Sequence, residues 1–166
     1  AVNGAIAEIL MGKVSPSGKL SETFINSLED SFAYQIGYLD DGVNYEEGLL
    51  LGYRYYDKKK VKVRYPFGYG LSYAKFAYDN IDVKERDGEI YVTFDVKNIS
   101  SVSAKEIVQV YVGNLKAGKD EPNKVLAGFD KQLIEAGKIK TFEIKVNSRA
   151  FEYYDVDDEA FRTKPG

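Results

Sequence analysis

Glu46 and Glu47 are adjacent carboxylates, the side-chain type that can act as an acid, a base or a nucleophile. Neighbouring side chains point in different directions along a strand or a helix, so these two do not face each other across a bond. We therefore predict an exposed Glu46 and a structural Glu47, which pairs with Arg54 or accepts backbone N–H groups. A catalytic role for Glu46 and Glu47 is the less favoured alternative.

The chain contains no histidine and no cysteine. This composition excludes a Ser-His-Asp triad, a thiol nucleophile, a disulfide bond and a metal site built on His or Cys. Carboxylate chemistry remains open, and glycoside hydrolysis is the main reaction class that needs carboxylates alone. We predict no cofactor.

Two short motifs have simple structural explanations. Gly68 and Gly70 form a GxG motif, but a nucleotide-binding turn needs a third glycine between a strand and a helix, so we predict a tight turn. Asn98-Ile99-Ser100 fits the pattern of an N-glycosylation site. It lies where one predicted strand turns toward the next, and such triplets are common by chance.

A cluster of carboxylates near the end of the chain has a composition that suits calcium. Its spacing lacks the central glycine and the terminal glutamate of an EF-hand loop, and a hard cation needs about six oxygen ligands. We predict a solvated acidic turn and no metal site. The cluster consists of Asp155, Asp157, Asp158 and Glu159.

Eleven aromatic residues lie between positions 25 and 75, interspersed with glycines. Exposed rings can stack on sugars, which would make the protein a carbohydrate-binding module. The glycines favour the alternative, in which the rings are buried at a seam between two packed bodies. The rings are those of Phe32, Tyr34, Tyr38, Tyr45, Tyr53, Tyr55, Tyr56, Tyr65, Phe67, Tyr69 and Tyr73.

Length and charge limit the class of protein. The 166 residues suffice for one ordinary domain, or for a small domain and part of another. A net charge of −3 argues against nucleic acid or an anionic membrane as a partner, and the basic run 58–60 is interpreted as a solvated loop. No apolar run approaches the ~20 residues that span a bilayer, so we predict no membrane segment.

The first half of the chain predicts a helix and then a long irregular segment. Residues 1–24 combine helical spacing of apolar positions with a cap at Gly12 and a turn at 15–18. Residues 25–75 lack sustained periodicity, so we expect them to wrap against another surface, with a helical turn or two within 49–56. The abrupt ends of the sequence lead us to expect a portion of a larger protein.

From position 76 onward the apolar residues alternate with a period of two, which predicts strands. We expect a hairpin of 76–83 and 89–98, strands at 107–112, 125–133 and 139–146, and a short strand or corner at 151–156. Strands joined by turns favour an antiparallel two-sheet sandwich, from which we expect the last strand to be missing. Its predicted core consists of Ile90, Val92, Phe94, Val96, Val108, Val110, Val112, Phe142, Ile144 and Val146.

Several stretches, in one colinear order, resemble family-three glycoside hydrolases, the β-glucosidases and their relatives. The resemblance implies a mainly β protein, in which a fibronectin type III-like sandwich at 76–166 follows the end of an α/β sandwich domain at 1–24 and a connecting wrap at 25–75. The stretches are AIAEILMGKVSPSGKL from Ala5, YEEGLLLGYRYYD from Tyr45, YPFGYGLSY from Tyr65, EIVQVYV from Glu106 and PNKVLAGF from Pro122.

The resemblance also implies a function, the carboxy-terminal part of a retaining β-glucosidase that releases terminal β-linked glucose. No residue matches the family's catalytic Asp or Glu motif, so we expect the isolated chain to be inactive. It would give structural support and help to shape the outer substrate site. The expected partners are the barrel and α/β sandwich domains of the same enzyme and, through them, a β-glucoside or oligosaccharide.

Two questions stay open at this point. The family contains bacterial members that are cytoplasmic and others that are secreted, so the resemblance leaves localisation undetermined. A free-standing β-sandwich module for carbohydrate binding or adhesion is the alternative to the enzyme, and residues 1–24 distinguish the two, because such a module has no use for a lone helix and its exit segment.

Overall fold

The computed structural model describes residues 2–36, 42 and 45–163. Tyr38, Ala1 and residues 164–166, on which some of the predictions above fall, lie outside the described residues. The described residues form two compact units: a sandwich unit of 2–19, 70–110 and 126–163, and a connector unit within 20–69 and 111–125. The predicted domain boundaries at 24/25 and 75/76 stay a prediction.

The regular elements are short helices in the first part of the chain and strands in the rest. The helices are α1 (Val2–Leu10), α2 (Phe32–Ile36) and α3 (Tyr53–Lys59), with 3-10 turns at Leu28–Asp30 and Ser148–Phe151. The strands are β1 (Phe76–Arg86), β2 (Glu89–Asn98), β3 (Ala104–Val112), β4 (Val125–Ile134), β5 (Ile139–Val146), β6 (Glu152–Asp155) and β7 (Ala160–Thr163).

Helix α1 ends as the sequence predicts. Gly12 adopts a positive φ of 71°, and the N–H of Lys13 reaches back 2.9 Å to the carbonyl of Glu8. Such a left-handed residue satisfies the last carbonyls of a helix, and glycine adopts it at least cost. No helix among the described residues is long and apolar enough to cross a membrane.

The sandwich unit is built from antiparallel pairing. β1 and β2 form the predicted hairpin around Asp87 and Gly88, whose φ values of 54° and 76° suit a tight two-residue turn. β2 also pairs with β5, which gives a sheet of order β1-β2-β5, while β3 pairs with β4 and β6 with β7. The predicted mainly β sandwich fold, preceded by a helix, is confirmed.

Period-two alternation identified most of the core. Of the ten predicted core residues, Val92, Phe94, Val96, Val108, Phe142, Ile144 and Val146 are buried. Ile90, Val110 and Val112 are only half-buried, so that part of the prediction is wrong. Ile90 lies beside the hairpin turn, and the two valines follow the stretch of β3 in which buried and more exposed residues alternate.

The connector unit has little regular structure besides α2 and α3, and α3 overlaps the helical turn expected within 49–56. Among its described residues, Leu50 and Tyr55 are the buried apolar ones. An isolated bridge pairs Phe24 with Tyr65, with the Phe24 N–H donating over 2.8 Å to the Tyr65 carbonyl. This bridge joins the start of the unit to the segment that follows α3.

Candidate functional site

Three rings pack beside helix α3 and form the aromatic cluster, defined as Tyr53, Phe67 and Tyr111. The Tyr53 ring stacks on Phe67 with centroids 4.6 Å apart and meets Tyr111 edge-on at 6.1 Å. All three residues are half-buried. Burial is the main reason that the pKa of Tyr111 is raised, and the nearby Asp57 carboxylate adds to the effect.

The loop between β3 and β4 is fastened to the end of α3 by charged and polar side chains. Lys124 Nζ lies 3.1 Å from Asp57 and 5.3 Å from the centre of the Tyr111 ring. Lys58 Nζ donates to Asn123 Oδ1 at 3.2 Å, and Asn123 Nδ2 donates to the Asp57 carbonyl at 3.3 Å. The loop and the helix end therefore hold each other in place.

A cavity of about 70 Å³ lies beside this cluster. Sites for small organic ligands usually occupy roughly 300–1,000 Å³, so this one has room for a few water molecules and not for a sugar ring. Its walls place one acid and one base among rings and aliphatic side chains. They are formed by Thr23, Tyr53, Tyr56, Asp57, Val61, Val63, Pro66, Phe67, Tyr111 and Lys124.

A second group of rings is exposed but does not form a platform. Phe24 meets Tyr65 at an interplanar angle of 74°, and Tyr65 is tilted by 39° against Tyr69. A pyranose ring stacks on a flat face, and these three rings present faces in different directions. This geometry gives no support to sugar binding by the tyrosines of this region.

The structure places the predicted pair Glu47 and Arg54 as two half-buried residues. The ion pairs within the described residues do not include one between them. Glu46 is exposed, as expected for a surface residue. A structural role for Glu47 stays a prediction.

The GxG motif has two different structural causes. Gly68 adopts a φ of 80°, a conformation that favours glycine. At Gly70 the cause is close approach, because a Cβ there would lie 2.5 Å from the carbonyl oxygen of Gly18. The two glycines allow the chain to turn and then to lie against the segment 15–19, which agrees with the tight-turn interpretation.

The glycosylation triplet is a structural motif. Asn98 is fully buried, and its Nδ2 donates to the carbonyls of Val102 at 2.8 Å and Ile134 at 3.0 Å. Its Oδ1 accepts from the Ser100 N–H at 3.0 Å. The nitrogen that would carry a glycan thus joins the end of β2 to the loop before β3 and to the end of β4.

The acidic cluster forms the turn between β6 and β7. Asp155 Oδ1 accepts from the N–H groups of Asp157 and Asp158, and Arg162 lies 2.7 Å from Asp158. These backbone donors, the N–H of Asp158 first, lower the pKa of Asp155. The carboxylates thus face backbone and arginine. No group of three or more potential metal ligands occurs within the described ranges.

One buried ionic group was not predicted from the sequence. Glu106 is only 7% exposed, and its Oε1 lies 3.0 Å from Lys19 Nζ and 2.9 Å from the Tyr78 hydroxyl. Burial and the carboxylate together raise the pKa of Tyr78. The available signal was the glutamate at an inward position of an apolar strand, since a buried charge needs a partner.

Comparison with known proteins places this arrangement among glycosidases. Residues 2–73 match the glycosyl hydrolase family 3 C-terminal domain, and residues 106–166 match the fibronectin type III-like domain. The chain is 42% identical to the thermostable beta-glucosidase B of Acetivibrio thermocellus and 43% identical to the exo-alpha-(1->6)-L-arabinopyranosidase of Bifidobacterium longum. The crystal structure of the Bifidobacterium adolescentis GH3 beta-glucosidase superimposes with a TM-score of 0.91 at 40% identity.

The shares of each chain in these matches are very different. The three alignments cover 100%, 90% and 98% of this chain but only 23%, 20% and 24% of the two relatives and of the solved structure, in the same order. The chain therefore spans less than a quarter of the length of these proteins.

Proposed function

The chain belongs to glycosyl hydrolase family 3, and on that basis we propose that it forms the carboxy-terminal part of a retaining β-glucosidase. The enzyme would hydrolyse terminal β-D-glucosyl residues, with its catalytic carboxylates in the part that these 166 residues do not cover. One observation carries the proposal: the likeness to the Bifidobacterium adolescentis enzyme extends over 98% of this chain, at 40% identity.

Within that enzyme the chain would act as structural support. The contacts of the sandwich unit favour this role, because they tie the segment 2–19 to residues 72 and 73, which lead into β1. The Tyr73 hydroxyl donates to the Ile9 carbonyl at 2.7 Å, and the hydroxyls of Ser15 and Ser72 lie 3.1 Å apart. A rigid attachment of this kind is valuable at a domain junction, where small displacements of reacting groups are costly.

The barrel and α/β sandwich domains of the same enzyme are the proposed partners. Large apolar side chains of the segment 2–73 are exposed, among them Leu10 at 77% and Met11 at 76%, together with Tyr45 at 82%. Soluble monomers rarely expose apolar patches beyond a few hundred Å², so surfaces of this composition usually face a partner. The alternative of a free-standing module does not explain why these side chains are exposed.

Sugar specificity would come from the remainder of the enzyme. A β-glucosidase matches this chain at 42% identity over its whole length, and an arabinopyranosidase matches it at 43% over 90%. Similar identity to two enzymes with different sugars supports this assignment. We propose that the contribution of this part to substrate recognition is limited to shaping the outer substrate site.

Two chimeras test the proposal. In each, this chain replaces the aligned region of the Acetivibrio thermocellus β-glucosidase or of the Bifidobacterium longum arabinopyranosidase. We expect both chimeras to be active and each to keep the sugar preference of its host, whereas hosts without the region are inactive. Two folded but inactive chimeras would refute the supporting role, and a change in sugar preference would show that specificity lies in this part.

A further inference from the structure

Glu106 occupies a position that belongs to the core. Along β3 the residues Ala104, Glu106 and Val108 alternate with more exposed neighbours and are 2%, 7% and 1% exposed. An apolar residue at the central position would continue the pattern. A carboxylate there loses hydration, and it is stable only when opposite charge and hydrogen bonds replace the lost water.

Two residues from distant segments replace the lost water, and both contact the same oxygen of Glu106. Lys19 Nζ lies 3.0 Å from Glu106 Oε1, and the Tyr78 hydroxyl donates to it at 2.9 Å. The Lys19 and Glu106 side chains are 21% and 9% exposed, whereas the other ion pairs among the described residues involve more exposed groups, such as Lys145 and Glu89 at 52% and 38%. Water therefore screens the Glu106 pair less than those surface pairs.

The segment 9–19 also contacts residues 70–75 at positions near Lys19. A Cβ on Gly70 would meet the Lys19 side chain at 2.7 Å, so the aliphatic stem of the lysine lies against Gly70. The Tyr73 N–H donates to Ser15 Oγ at 3.0 Å. These contacts join uncharged groups, whereas the ion pair of Lys19 with Glu106 reaches strand β3.

We propose that Glu106 and Lys19 form an interdomain lock, in which Glu106 is a positioning residue that fixes residues 9–19 and 70–75 against the fibronectin type III-like strands. Tyr78 completes the lock as a neutral donor. Loss of either charge releases these two segments while the β2–β5 core remains folded. The lock is a property of the chain itself and does not depend on glucosidase activity.

Hydrogen exchange of the 166-residue chain, followed by mass spectrometry, tests the lock. The variants are Lys19→Met, Glu106→Gln and the double variant, with Lys145→Met as a matched control on an exposed pair. In each single variant we expect amides of 9–19 and 70–75 to exchange about tenfold faster, since loss of one partner of a buried pair is costly. Amides of β2 and β5 should keep the parent rate, and Lys145→Met should match the parent throughout.

The double variant separates a direct pair from two unrelated effects. A direct pair predicts that the double variant exchanges no faster than the more affected single variant. Fold-changes that multiply, or an equal loss in Lys145→Met, would overturn the lock. If Glu106→Gln unfolds the strands as well, the test depends on Lys19→Met, because the Lys19 side chain is partly exposed and its loss leaves the core intact. Unchanged exchange of 9–19 and 70–75 in Lys19→Met refutes the proposal.

Discussion

A single methyl group at Gly70 tests the close approach of the two segments of the sandwich unit. In Gly70→Ala the new Cβ would lie 2.5 Å from the carbonyl oxygen of Gly18, whereas ordinary contact begins at 3.4 Å. The two groups must therefore move apart by about 0.9 Å. The obstacle is backbone, and the other near atom, Cδ of Lys19 at 2.7 Å, belongs to a side chain whose ammonium is bound to Glu106.

Overpacking of this kind costs about 1–3 kcal/mol. For a chain of this size each kcal/mol lowers the melting temperature by roughly 2–4 °C. We therefore expect Gly70→Ala to melt several degrees below the parent, measured by circular dichroism or by urea titration. Exchange of amides 9–19 should also rise, because the backbone adjustment displaces the segment next to Lys19.

Gly18→Ala is the matched control, since it changes the other glycine of the same contact. A Cβ at Gly18 would meet nothing within 4 Å, and no positive φ requires a glycine there. We expect its free energy of unfolding to stay within about 0.5 kcal/mol of the parent. Equal stability of the two variants would show that residues 18 and 70 do not approach as described.

The described contacts also predict the effects of three further substitutions, and the sequence predicts two properties of the isolated chain. Phe94→Ala should lower the free energy of unfolding by about 3–5 kcal/mol, because Phe94 is 7% exposed and stacks 5.7 Å from Phe142; a loss below roughly 1 kcal/mol in urea titration would contradict the strand register. Asn98→Ala should cost about 2–4 kcal/mol in the same titration, since the buried Ile134 carbonyl and the part-buried Val102 carbonyl lose their donor, and a neutral result would refute this role. Because the pKa of Tyr78 is raised in the folded chain, the unfolded chain loses this proton at lower pH. The free energy of unfolding should therefore fall above about pH 10, and it should fall less steeply in Tyr78→Phe. If the melting temperature falls equally with pH in both proteins, the pKa shift is refuted. The isolated chain should not hydrolyse an aryl β-glucoside and should be cleaved by protease within 25–73 before 76–146, whereas turnover that disappears in Glu47→Gln would make Glu47 a catalytic residue.

The strands were predictable because their signals are local. The hairpin depends on Asp87-Gly88 and on alternation within 90–96, and both are visible without knowledge of the rest of the chain. The β6–β7 hairpin was predicted only as a short strand or corner, since strands of four residues are too short to show a period.

The buried polar groups were not predictable, because their partners are distant in sequence. Lys19 and Glu106 are 87 positions apart, and Asn98 and Ile134 are 36 apart. An inward Glu or Asn shows that a partner is needed, but the identity of that partner depends on how the strands and the segment 15–19 come together. The same holds for the contact between Gly18 and Gly70.

The tight turn at Asp87-Gly88 has a consequence for the order in which the chain folds. A hairpin with adjacent strands closes a very short loop and forms within about 1–10 μs, before contacts of long sequence separation. Strand β5 can then pair with β2, which the hairpin has already ordered. The contact between Lys19 and Glu106 has to close a separation of 87 residues, and it also needs β3 in place to present Glu106. The amino-terminal segment should therefore dock last, and variants at Lys19 should speed unfolding without slowing the formation of the β1–β2 hairpin.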